Sequence, residues 1–111
     1  MLNNPQASYV QRGEVIDFKN AGSTAIKAND VVSLTTRIGI AATDIPVGVT
    51  GTVNVMGVYD VPASNTEAFT VGQAVYWKGS SLTATSTDAI VAGWVVEPKA
   101  TPGTKARIKI G

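Results

Sequence analysis

The segment Lys105-Ala106-Arg107-Ile108-Lys109-Ile110 alternates a basic and an apolar residue without a break. Side chains along a strand point to opposite faces in turn, so Ala106, Ile108 and Ile110 share one face and Lys105, Arg107 and Lys109 the other. Thr52-Val53-Asn54-Val55 repeats the pattern in shorter form, with both valines on one side. Glu14–Lys19, Val31–Leu34 and Ile38–Ala42 are further short runs rich in strand formers, bounded by turn residues. No segment sustains an apolar period of 3.6 residues, so little or no long helix is predicted. Turn signals recur at intervals of roughly 8–12 residues, the spacing of a sandwich or a barrel.

The pattern occurs twice. Residues 13–34 lie over residues 56–77 without a gap: Val15 falls on Val58, Asp17 on Asp60, Ile26 on Phe69 and Val32 on Val75. Ile38-Gly39-Ile40-Ala41-Ala42 then resembles Ala92-Gly93-Trp94-Val95-Val96, and Thr52–Val55 resembles Arg107–Ile110. Self-similarity at a fixed offset indicates one supersecondary unit used twice. The expected organisation is an extended arm over residues 1–12 and a single all-β domain over 13–111, an internal pseudo-repeat of 13–55 and 56–110. The expected fold is a small β-sandwich or jelly-roll-like barrel built from two similar halves; closure would also remove exposed sheet edges.

Matched positions carry conformational expectations. Asn29 and Gly72 occupy the same place before a strand, and Asn and Gly are the residues that most easily take positive φ, so a left-handed turn is predicted at both. Gly39 and Gly93 interrupt matched strands, which indicates a bulge or a close backbone approach, and the two copies are expected to meet there. Trp77 matches Leu34 and Trp94 matches Ile40, so both tryptophans are expected in the core. The copies differ in one stretch: Lys78–Asp88 of the second replaces Thr35-Thr36-Arg37 of the first, and reads as a Gly-Ser turn with a Thr-rich strand, an added hairpin.

Composition narrows the function. Apolar residues are 44% of the 111 residues, enough for a small core, while charged residues are only 15% and the net charge is +1. Nothing in that balance points to a polyanion, and a nucleic-acid reader would show a stronger positive charge with exposed aromatics beside it. No run approaches the ~18–20 apolar residues of a membrane span, and Met1–Gln6 lacks the basic and apolar regions of a signal peptide. With no Cys and no His, a disulfide framework, a thiolate nucleophile and the usual zinc ligands are excluded.

Little chemistry remains. Asp17 and Asp60 are the only matched acids; they read as solvent-facing residues kept by duplication, or as a carboxylate pair if they share a cleft. Gly103-Thr104-Lys105 lacks the leading glycine of a phosphate loop, and Ala106 stands where a hydroxyl residue would hold magnesium. No catalytic, cofactor-binding or metal site is expected. Tyr76 alternates with Trp77 and is the better surface aromatic. Leu2, Tyr9 and Val10 are apolar residues of the arm with no local core to join.

Several strings resemble one family: Tyr9–Phe18, Asn29-Asp30-Val31-Val32, Ile38–Ala41, Asp44-Ile45, Gly51-Thr52-Val53, Gly57-Val58 and Gly72–Trp77. Together they resemble the capsid cement, or decoration, proteins of tailed phages and prophages, which are sometimes mislabelled recombinase-like. The resemblance implies a non-enzymatic β-domain on the outer surface of a virion, made in the host bacterial cytoplasm. It also implies that the domain reinforces the junctions of the major capsid protein, with a trimer as the favoured homo-oligomer. Neither nucleic acid, membrane nor cofactor is implied. The candidate contact residues are Leu2, Pro5, Tyr9, Val10 and Arg12 of the arm, with Tyr76, Lys105, Arg107 and Lys109 of the second half. The competing reading is a carbohydrate- or host-surface-binding β module that uses Tyr59 and Tyr76 as exposed rings.

Overall fold

A computed structural model describes residues 5–111. The first half contributes β1 (Val15–Lys19), β2 (Val31–Ser33), β3 (Ile38–Ala41) and β4 (Thr50–Asn54); the second contributes β5 (Gly57–Pro62), β6 (Ala74–Trp77), β7 (Leu82–Thr83), β8 (Ile90–Val95) and β9 (Lys105–Ile110). No helix occurs among the described residues, as the lack of a 3.6-residue period requires. The strands form two antiparallel sheets, one of four strands in the order β1-β4-β3-β2 and one of five in the order β5-β9-β8-β6-β7. The fold is sandwich-like. A single bridge, Ala63 to Leu82, brings the two ends of the five-stranded sheet together, short of the closed barrel that was the other expectation.

The two sheets have the same order and the same register. Ile40 pairs with Asn54 as Trp94 pairs with Lys109; Val15 pairs with Asn54 as Val58 pairs with Lys109; Val32 pairs with Gly39 as Val75 pairs with Gly93. The correspondence ends after Val75, where the register shifts and Tyr76 pairs with Val91, leaving Ala92 as an extra residue on β8. The added hairpin is present: β7 pairs with β6, and Gly79 takes φ 91° in the turn, where the Lys78 N–H donates to the Ser81 carbonyl at 3.0 Å. In the first half the same connection is a three-residue turn. The Thr36 N–H donates to the Leu34 carbonyl at 2.7 Å across Thr35, whose φ is 66°.

Asn29 (φ 73°) and Gly72 (φ 86°) are both left-handed, as their matched positions predict. Gly39 and Gly93 do mark close approaches, but not between the copies. A Cβ on Gly39 would strike the Val53 side chain and one on Gly93 the Lys109 carbonyl, each in the last strand of its own half. Each glycine therefore lets its sheet pack tightly on itself.

Burial divides into two clusters. The larger joins Val61, Val75, Trp77, Val95, Ala106, Ile108 and Ile110 of the second half with Ile38 and Ile40 of the first. The smaller holds Val32, Ala41, Ile45 and Val53, flanked by Ile16, Phe18 and Leu34. The halves thus pack without reciprocity: Ile38 and Ile40 enter the core of the second sheet, while the face that carries Trp94 receives no equivalent cover.

Two buried polar side chains fix the long loops. Asn20 donates through Nδ2 to the Thr24 and Ile45 carbonyls, both at 2.9 Å, and its Oδ1 accepts from the Gly22 N–H at 3.1 Å. In the second half the loop after β5 is held by Lys99, whose Nζ donates to the Ser64 carbonyl at 2.8 Å and to the Glu67 carbonyl. The Lys99 ammonium also lies 5.4 Å from the centre of the Phe69 ring, within cation–π range. Buried donors with all partners in place rigidify a loop, and no buried side-chain polar atom among the described residues lacks a partner.

Candidate partner-binding surface

The outer face of the five-stranded sheet is set by the alternation of its strands. Rows of directly paired residues share a face, so Val58, Lys109, Trp94 and Ala74 form one line across β5, β9, β8 and β6. Tyr76 stands opposite Val91 and Thr83 in the next line toward the hairpin. Val58, Val91 and Trp94 are large apolar residues left exposed. The expectation that Trp94 belongs to the core is corrected here: it is 44% exposed, whereas its match Ile40 is 4% exposed. The sequence match is right in register, but the covering layer is missing, because only the first sheet's copy of this face is packed against the other half. Trp77 is buried, as expected.

Lys105, Arg107 and Lys109 do share the side of β9 opposite Ala106, Ile108 and Ile110. They are not three equivalent cations. Arg107 holds the Asp60 carboxylate through two hydrogen bonds, Nε to Oδ1 at 3.0 Å and Nη2 to Oδ2 at 3.2 Å, and reaches Glu97 through Nη1 at 3.1 Å. The hydrogen bond from Arg107, with its positive charge, holds the Asp60 carboxyl below its ordinary range, and Asp60 in turn raises Arg107. A carboxylate kept ionised in this way is unsuited to general-acid work. Asp17 lies on the other sheet, opposite Thr52. The two matched aspartates therefore belong to different surfaces.

Tyr59 and Tyr76 do not form one ring platform. Tyr59 pairs with buried Ile108 and packs against the larger core, while Tyr76 is on the opposite, outer face. A sugar-stacking surface made of these two rings has no geometric basis here.

Of the arm, Leu2 lies outside the described residues. Residues 5–12 have no strand or helix, and all are exposed, including Pro5 and Arg12. Tyr9 and Val10 are 83% and 85% exposed, the most exposed large hydrophobics of the chain's described part. Arg12 makes a loose ion pair with Glu14 at 3.7 Å.

A groove of about 880 Å³ runs along the seam of the two sheets, near the root of the arm. Its walls include Ile16, Leu34 and Met56 on one side and Val91 and Trp94 on the other, with Gly13 at the arm's root. The bridge between Arg37 and Val91 ties the sheets together at this point. The groove has almost no signature in the sequence. Its one available signal was the change from Ile40 to Trp94 at a matched position, since a larger ring where the repeat supplies no more room has to go elsewhere.

The family model described as phage cement protein matches residues 10–110. Among curated proteins and among solved structures no match is found.

Proposed function

Because the chain belongs to the phage cement protein family, whose members are structural and associated with the phage capsid, we propose that it is a non-enzymatic decoration protein. In this reading it binds the outer surface of the assembled major capsid shell and stabilises it. The observation that carries the reading is the family match over nearly the whole chain, joined to a surface that leaves Tyr9, Val10, Val58 and Trp94 in water. Val58 and Trp94 lie in one line of paired residues on the outer face, and apolar surface gathered on one face marks an interaction site.

The mechanism is mass action. A protein that binds the assembled shell and not its dissociated subunits lowers the free energy of the shell by RT ln(1 + [L]/Kd) per site, about 2.7 kcal/mol when free protein is at a hundred times Kd. Many copies on a closed lattice multiply this term. The arm and the outer face of the five-stranded sheet supply the contacts; a stable patch buries on the order of 1,600 Å² in total. A trimer places three arms around a junction of shell subunits. Purified protein mixed with capsids that lack it is expected to co-sediment with them, and to stay in the supernatant with unassembled major capsid protein. Equal binding to both would overturn the stabilising mechanism.

A further inference from the structure

The seam groove has a chemical character of its own. Its lining is mainly apolar, and its two charged residues, Arg37 and Lys109, are both cations. No carboxylate side chain lines it. Arg107, two residues along β9, is occupied by Asp60 and Glu97. Arg37 makes no ion pair among the described residues, whereas the Lys109 ammonium already donates to the main-chain oxygen of Gly111, another lining residue, at 3.0 Å. The exposed apolar surface beside them is continuous with Trp94 and Met56, 44% and 46% exposed.

We propose that this groove receives an acidic, apolar-anchored peptide segment of a shell subunit, with an aliphatic or aromatic side chain against Trp94 and Met56 and a carboxylate at Arg37. The proposal rests on the capsid reading above and names the part of this chain that performs it. Three physical reasons favour such an occupant. The Arg37 guanidinium, without an ion-pair partner among the described residues and beside apolar walls, selects against basic segments and attracts acidic ones, and Lys109 adds to the positive field. Tryptophan is among the side chains enriched at interface hot spots, and Trp94 stands half-exposed beside a concave wall. The sheets already meet at the Arg37–Val91 bridge, so the groove is pre-formed and binding does not have to order it. The chain's own arm fits less well, because residues 5–12 carry a cation at Arg12 and no acid.

The test uses the full chain and capsids that lack it. Trp94→Ala and the double charge reversal Arg37→Glu with Lys109→Glu are compared with wild type and with Lys27→Glu, an exposed residue outside the groove. All altered side chains are solvent-accessible, and thermal melts verify that the variants fold. Wild-type binding is expected to weaken with salt. Trp94→Ala is expected to weaken it about thirtyfold, and the charge reversal by on the order of tenfold with a shallower salt dependence. Lys27→Glu is expected to leave binding unchanged. Folded groove variants that bind like wild type would overturn the groove assignment and leave the cement reading standing. Failure of wild type itself to bind would remove the cement reading, and this proposal with it. A change in the oligomeric state of the groove variants without capsids would show that a second copy fills the groove, and would also overturn the proposal.

Discussion

Arg107 and Asp60 occupy directly paired positions on β9 and β5, and the guanidinium grips both carboxylate oxygens at 3.0 and 3.2 Å. The matched positions in the first half are Thr52 and Asp17. One cross-strand pair of the repeat has thus become an ion pair and the other has not. Because Arg107 lowers the native carboxyl of Asp60, the stabilising part of this pair is present above the ordinary carboxylate range. It is lost as pH falls through the lowered native value. The pair is solvent-exposed, so the effect is small and screened by salt. Acid titration of thermal stability is expected to be slightly flatter in Asp60→Asn than in wild type, with the difference vanishing at high salt. An unchanged acid limb at low salt would contradict the coupling.

Gly93 has no space for a side chain, since a Cβ there would strike the Lys109 carbonyl of the adjoining strand. Gly93→Ala is expected to destabilise the protein by about 1–3 kcal/mol through forced backbone movement. Gly79 is the contrast. Its φ of 91° disfavours any side chain, but the space around it is open, so Gly79→Ala carries only the backbone cost of about 1–2 kcal/mol. Urea unfolding of both variants measures the difference, and amide exchange along β8 and β9 should rise only for Gly93→Ala.

Asn20 and Lys99 pin corresponding loops by different chemistry. Lys99→Met keeps the aliphatic stem but leaves the Ser64 and Glu67 carbonyls without their donor. Asn20→Ala removes the side-chain donor from the Thr24 carbonyl and from the Ile45 carbonyl, which keeps the Ile26 N–H at 3.0 Å. Each is expected to cost about 1–3 kcal/mol. The two sites share no partners, so the double variant should be additive to within about 0.5 kcal/mol. Strong non-additivity in chemical denaturation would show that the halves do not hold their loops independently.

Thr35 sits at the centre of a turn closed by the Thr36 N–H and the Leu34 carbonyl, with φ 66°. Positive φ is a genuine outlier for a β-branched residue, and this tight turn is the strained form. Thr35→Gly is expected to raise stability by about 1 kcal/mol, the relieved strain exceeding the added chain entropy. A fall in the melting temperature would contradict the strain assignment.

The alternation of β9 and the matched strings of the two halves were legible as strands, turns and register, because those follow from local period and turn chemistry. Asn29 and Gly72 show how far this goes: two different residues, one backbone requirement. Trp94 shows where it stops. Whether a strand face is covered depends on how the sheets stack, and the non-reciprocal packing that buries Ile40 and exposes Trp94 is a tertiary property with no periodic signature. The extra residue at Ala92 is invisible for the same reason, since a one-residue shift changes pairing without changing residue types. The groove was lost with them, being made of residues from both halves that only the stacking brings together. The role of Lys99 carries no sequence signal, because a lysine beside turn residues ordinarily faces water.

Residues 5–12 of the arm are exposed throughout and add no buried packing to the fold. Removing residues 2–8 is expected to leave the melting temperature unchanged while lowering occupancy on capsids. Unchanged occupancy would remove the arm from the contact surface.

The most direct test of the cement assignment is thermal disassembly of capsids lacking this protein, followed by light scattering with and without a saturating amount of it. Co-sedimentation with the shells and a higher disassembly temperature that tracks occupancy are expected. Shells that bind the protein but come apart at the same temperature, or shells that do not bind it, would contradict the cement assignment.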